Sequence, residues 1–423
     1  MTIRRCRRFG FTLALVIAAT APGLAQRAAK APPAPANEVC LACHGDPSAT
    51  APDGRSIGVD PAKFGASMHG ALGMACVACH TDLEKTRDFP HPERLAKVVC
   101  AGCHAAAAAA YDKSIHAAAR RGSPTSVAPA CSDCHTSHEI RSAKDPESGT
   151  YPLRLPATCG RCHGDANIIK QGNIRIGNVL ALYDDSIHGH AISKDGLLVA
   201  ANCTSCHGNH DIRKKTDPES PIARANVPAT CGSCHEGVKA LYDKGAHGTA
   251  FAKGDPKAPV CTDCHTAHHI QRADQVAWRL DVIRECGTCH IDKIKTYRDT
   301  FHGQVTSLGF VRTAACSDCH GPHAVFPKTD PRSTVSEAQV LHTCQTCHPT
   351  ATKGFAQYDP HADKIDRARN PALFYTAVFM RWLLGGVFLF FGAHTLFWLP
   401  RSIRERKRAA SSRRVPDATE SEK

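Results

Sequence analysis

Eleven copies of one short motif, Cys-x-x-Cys-His, constrain this chain more than any other feature. They are Cys40, Cys43 and His44; Cys76, Cys79 and His80; Cys100, Cys103 and His104; Cys131, Cys134 and His135; Cys159, Cys162 and His163; Cys203, Cys206 and His207; Cys231, Cys234 and His235; Cys261, Cys264 and His265; Cys286, Cys289 and His290; Cys316, Cys319 and His320; Cys344, Cys347 and His348. Together they use every one of the 23 cysteines except Cys6. Two cysteines three apart reach the two vinyl groups of one haem as thioethers, and the next residue falls under the iron as proximal ligand. Zinc ribbons pair Cys-x-x-Cys units without needing a histidine after each. A disulfide framework explains the cysteines and leaves the eleven histidines unexplained. The motifs therefore read as eleven covalent attachments of haem c.

The motifs alternate between two kinds. The first kind starts at Cys40, Cys100, Cys159, Cys231, Cys286 and Cys344, a period that marks an array of repeats and not one compact domain. Each is followed by a further histidine in a recurring context: Ser67-Met-His69, Ser114-Ile-His116, Ser186-Ile-His188, Gly245-Ala-His247, Thr300-Phe-His302 and Asp359-Pro-His361. An aromatic stands five residues before the first five, at Phe64, Tyr111, Tyr183, Tyr242 and Tyr297, whereas Tyr358 is three before His361. The second kind starts at Cys76, Cys131, Cys203, Cys261 and Cys316. The last four carry a histidine three beyond the motif, at His138, His210, His268 and His323; the first has His91 instead. The array reads as five dihaem units and a single-haem half unit.

These eleven extra histidines match the eleven motifs, so each iron has a candidate distal ligand. His91 and His361 break their patterns, and His268 and His269 are interchangeable by position. Spacing leaves open which distal histidine serves which haem. An iron with two histidines has no open position for a substrate and passes electrons with little geometric change. His190, His269, His342 and His394 are left over.

Aromatics are 6% of the chain and alanine supplies much of its apolar content. A conventional large core is excluded, and the haems are expected to take its place. The expected fold is a multihaem cytochrome c array: sparse short α-helices, as over residues 105–119 and 237–244, with coil wrapped around haems and no large sheet.

The two ends set the compartment. Four arginines, an apolar run and Gly23-Leu24-Ala25 predict a signal peptide cleaved after residue 25, with an uncleaved anchor as the rival. An Ala/Pro-rich linker over 26–38 leads to the haem domain, 39–365. Residues 372–399 read as a single transmembrane helix, and the basic tail, 400–423, stays cytoplasmic by the positive-inside rule. That places the haem domain in the periplasm of a bacterium, tethered to the inner membrane. Arg381 is expected to snorkel to the periplasmic surface and His394 to be interfacial; a b-haem or quinone role for His394 is the rival. Gly385-Gly386 permits close helix packing, a weak sign of a partner.

The formal charge of +13 suggests nucleic acid until it is divided. The signal and the tail each carry about +4, leaving about +5 in between. Each haem c brings about −1 oxidised, so the array is neutral to acidic and nucleic-acid binding loses its support.

With these motifs in view, the chain resembles the periplasmic multihaem c-type cytochromes. The elements at His69, His188, His247 and His302, alternating with Cys-x-x-Cys-His-x-x-His, are similar to those of decahaem-type electron conduits. The stretch from Tyr358 through His361 to Arg401 resembles membrane cytochromes joined to a cytochrome b module. The resemblance implies electron relay between membrane quinone or quinol, or a cytochrome b subunit, and periplasmic or outer-membrane electron-transfer proteins, beside membrane lipid and as part of respiration. The chain departs from that pattern by having one helix, so a b-type module would be a separate subunit. The alternative is a reductase or oxidase of small nitrogen or sulfur compounds, with one five-coordinate haem at the site served by His91 or His361.

Overall fold

A computed structural model describes residues 34–123 and 125–412. The expected signal peptide lies outside the described residues, as do most of the linker and the end of the basic tail. Among the described residues there are short helices, 3-10 turns and coil, and the one β feature is an isolated bridge between Thr50 and Ser56. The chain divides between Val99 and Cys100 into two units.

In the first unit the opening helix, Asn37–His44, carries the first motif. It takes in the last two residues assigned to the linker. Asn37 is the reason: its side chain accepts from the Cys76 amide at 2.7 Å and donates to the Met74 carbonyl at 3.4 Å. The start of the helix is thereby tied to the second motif.

In the second unit one repeat can stand for the rest. The helix Val179–Asp184 holds the slot tyrosine, Ser186 breaks the chain, and the helix Ile187–Ser193 carries His188. Ser186 is extended (φ −79°, ψ 162°) and its buried hydroxyl accepts from the Gly189 amide at 3.0 Å. Such a cap is worth about 1 kcal/mol. Ser67, Ser114 and Thr300 cap the same way. This is why residues 105–119 form two helices, Ala105–Asp112 and Ile115–Gly122, and not the expected single one. The helix over 237–244 is observed as Glu236–Lys244.

The glycine after the distal histidine has a steric cause. A Cβ at Gly70, Gly189, Gly248 or Gly303 would lie 1.8–2.2 Å from the carbonyl oxygen of the slot aromatic six residues earlier. In these four repeats the two helices approach more closely than a side chain there allows, whereas the Ser114 repeat carries the buried Ala117 at the same place. The tyrosines then join the repeat internally. The hydroxyls of Tyr111, Tyr183, Tyr242 and Tyr297 donate to the carbonyls of Pro129, Ala201, Pro259 and Ala314, each two residues before a second-kind motif.

Apolar packing is slight. The most buried side chains are serines, and one small cluster, Ile283, Tyr297 and Ala315, forms the apolar core among the described residues. The last element is a helix of 42 residues, Pro371–Ser412, which encloses the expected span and continues through Pro400. It is long and apolar enough to cross a membrane, and none of its apolar window is buried.

Candidate haem-binding sites

Each second-kind motif in the second unit is one helical turn: Cys131–His135, Cys203–His207, Cys261–His265 and Cys316–His320. A turn of helix puts residues i, i+3 and i+4 on one face, so both thiols and the imidazole point the same way. An acceptor inside the motif closes the start of that turn. Asp133, Asp263 and Asp318 accept from the amides of Ala130, Val260 and Ala315, and Ser205 does so for Asn202.

The turn ends on a backbone kink. Thr136, Gly208, Thr266 and Gly321, each directly after the motif histidine, have φ of 65°, 80°, 61° and 77°. Glycine adopts this conformation freely, and a β-branched threonine holds it under strain. The kink reverses the chain and delivers the histidine three residues beyond the motif. After His80 the chain instead continues into the 3-10 turn Thr81–Leu83, and no histidine stands three beyond.

The motif and extra histidines meet ring to ring. In the second unit the pairs are His116 with His163 (6.2 Å between ring centres), His188 with His235 (6.1 Å), His247 with His290 (6.2 Å) and His302 with His348 (6.1 Å). They continue with His135 and His210, His207 and His268, His265 and His323 (6.0 Å each), and His320 and His361 (6.2 Å). In the first unit His44 meets His91 at 6.0 Å. Two metal–nitrogen bonds of about 2 Å and two imidazole half-widths of about 1.1 Å sum to about 6 Å, the spacing of two imidazoles on one iron. Ring contact through van der Waals stacking would bring the centres closer, as Trp278 does over His265 at 4.7 Å.

The electrostatics suit a metal. Burial pushes His116, His188, His247, His265 and His320 below the ordinary imidazole value, and His207 down to about 4. They are held neutral, the form that ligates. Where the remote ring nitrogen has a partner, the near one is aimed at the pair. His44 Nδ1 and His91 Nδ1 bond the Ile57 and Pro92 carbonyls at 2.8 Å, and His361 Nδ1 bonds the Thr296 hydroxyl at 3.1 Å. No group of three or more such side chains that would hold a bare ion is present among the described residues. The donor sets thus fit haem c: two thiols and one imidazole from a motif, faced by a second imidazole.

The partner choice follows a rule that spacing did not reveal. A first-kind distal histidine crosses to the first-kind motif of the following repeat. A second-kind distal histidine crosses back to the second-kind motif of the preceding repeat. Neighbouring repeats therefore exchange histidines in both directions. The rule accounts for both exceptions. No motif precedes Cys40, so His91 turns inward to His44. The last repeat has no second-kind motif, so His361 comes from beyond a first-kind one and returns to His320.

Backbone bonds follow the same lacing: the amides of Ile115, Ile187 and Ala246 donate to the carbonyls of Ile212, Ile270 and Val325. His69 lies in the helix Met68–Ala71, His104 ends the turn after Cys100–Gly102, and His138 follows the Thr136 kink; with His80 they hold the equivalent places of their repeats. His268 takes the ligand position, while His269 pairs with Asp185 at 2.9 Å. His190 bonds Lys194, and His394 sits within the long helix.

Consecutive attachment points also adjoin. The Cys159 thiol is raised by its hydrogen bond to Cys203, Cys231 by Cys261, and Cys286 by Cys316. Cys40 lies against Cys76, and Cys100 against Cys131. Cys134 neighbours Cys162, Cys206 neighbours Cys234, Cys264 neighbours Cys286, and Cys319 neighbours Cys344. From Cys100 to Cys344 the order in space is the order in sequence.

Residues 68–164 match the family model for cytochrome c3, and residues 197–240 match the model for the doubled CXXCH motif. No curated protein and no solved structure matches the chain. Paired imidazoles at the spacing of one iron, motif cysteines beside each pair and these two matches converge: the chain is a multihaem c-type cytochrome.

Proposed function

We propose that the chain carries eleven haem c groups, each held between two histidines. In this reading it relays electrons between the quinone pool, or a membrane cytochrome b partner, and periplasmic or outer-membrane redox proteins. Haem c bound at these sites supplies reversible one-electron exchange between ferric and ferrous iron. The chain's own residues do the rest. Two imidazoles per site would hold the iron from opposite sides, leaving no position open to a substrate. The adjoining cysteines set neighbouring attachments side by side, and the lacing histidines fix each repeat against the next.

The observation that carries this reading is the unbroken succession of adjoining attachment points, from Cys100 to Cys344, that leads to a helix long enough to span a membrane. The signal-like N-terminal segment and the basic flank after the long helix support an inner-membrane tether with the haem domain in the periplasm. His69, His80, His104 and His138 supply the remaining ligands that complete the count of eleven. The rival reading, a reductase with one open iron, was attached to His91 or His361; both stand opposite a motif histidine at ligating distance.

The test is stopped-flow reduction in native membranes. Adding quinol should reduce the haems fully, and a soluble redox acceptor should reoxidise them within seconds. Haems that stay oxidised with quinol, yet are reduced by dithionite, would overturn the relay.

A further inference from the structure

Between the last histidine pairs and the long helix lies a short segment, residues 351–370, that is pinned and yet exposes large apolar side chains among lysines and arginines. Thr296 bonds His361, Lys364 pairs with Asp299 at 3.0 Å, and Arg369 pairs with Asp359 at 2.6 Å. Asn370 receives the Asp363 amide on its side chain at 3.1 Å and the Phe374 amide on its carbonyl at 3.0 Å, so it joins the segment to the first turn of the helix. Despite this anchoring, Phe355, Tyr358, Ile365, Leu373 and Tyr375 are 40–61% exposed. Phe355 at the same time touches the His348 ring at 5.1 Å, and Arg367 lies over the Tyr375 ring at 5.5 Å.

A pinned segment that exposes aromatic rings together with Lys353, Lys364, Arg367 and Arg369 has the composition of a membrane interface, where amphipathic rings sit at headgroup level. The helix length sets the depth. The apolar stretch 372–399 runs about 42 Å at about 1.5 Å per residue, close to the about 40–45 Å of a bilayer with its headgroups. Its first turn, and the segment bonded to that turn, then fall at headgroup level.

We infer that residues 355–375 form a collar seated on the lipid headgroups, which holds the His320–His361 and His302–His348 sites against the membrane surface as its electron port. This rests on the reading of the long helix as a membrane span. The occupant of the collar is lipid. Phe355, half-exposed and against the His348 ring, joins the collar to the last motif.

The test uses the full haem-loaded chain in native membranes, with p-benzoylphenylalanine placed singly at Phe355, Tyr358 or Ile365. Trp382, inside the span, is the positive control, and Leu308, 88% exposed on the haem domain, is the negative one. After illumination, mass spectrometry should find phospholipid adducts at the collar positions at half or more of the Trp382 yield, and at least tenfold above Leu308. Collar yields equal to Leu308 beside strong Trp382 labelling would overturn the collar alone. Adducts to a protein in place of lipid would overturn the choice of occupant. Failure of Trp382 to label lipid would overturn the span and the collar with it.

Discussion

Replacing His268 by alanine should damage a haem in a different repeat from the one His268 belongs to. Its ring lies 6.0 Å from that of His207, and the two planes differ by 2°. The variant should leave His207 as the sole axial ligand at the Cys203 site, making one haem in eleven five-coordinate. The link also closes a loop of about 60 residues, for which chain-entropy arithmetic gives about 4 kcal/mol as an upper limit on the stability lost. The assay is electron paramagnetic resonance of the ferric protein, with spin quantification. One high-spin iron per chain is expected, against none in the parent. Repeating the substitution with Cys203→Ser and Cys206→Ser locates it: without that haem, no high-spin signal should appear. If the signal survives there and vanishes instead with Cys261→Ser and Cys264→Ser, the histidine serves its own repeat and the exchange rule is wrong. His269→Ala is the matched control. It removes only a solvent-exposed pair with Asp185, worth at most about 1 kcal/mol, and all haems should stay low-spin.

Other consequences are local. Thr136→Gly should raise stability by about 1 kcal/mol in denaturant titration, because it relieves a β-branched residue at φ 65°, and Gly208→Thr should cost a similar amount. Gly189→Ala should cost about 3 kcal/mol, since its Cβ would meet the Tyr183 carbonyl at 2.0 Å; an unchanged denaturation midpoint would contradict the packing described. Burial pushes the Tyr242 phenol up to about 12. Its neutral form is the one favoured by folding, so that contribution is complete below about pH 10 and is lost as pH rises through about 12. Tyr242→Phe should therefore cost about 1 kcal/mol at neutral pH and flatten the alkaline unfolding curve followed by circular dichroism.

Much of the site was legible because its chemistry is local. Cys-x-x-Cys-His needs a single helical turn, and the spacing of Cys203, Cys206 and His207 states that turn outright. The recurring Ser-x-His-Gly was visible as a pattern, although its cause was not. Only the bonded geometry shows that Ser186 caps a helix and that Gly189 must clear the Tyr183 carbonyl. The helix over 105–119 was drawn too long for the same reason: alanine-rich periodicity does not register a cap at Ser114. Partner choice was illegible because it is a relation between repeats some 50 to 70 residues apart. A period gives the positions of His210 and His135 but not their meeting, and so His91 and His361 looked like defects. They are the two places where the array has no neighbour to exchange with.

The central claim is that every motif holds a haem between two histidines. Haem c per chain, by pyridine haemochrome and intact mass on the membrane-purified protein, joined to spin quantification of the same ferric sample, tests it most directly. The account predicts eleven haems per chain, all low-spin. Fewer than eleven, or a stoichiometric high-spin iron that shifts on adding nitrite or hydroxylamine, would contradict it.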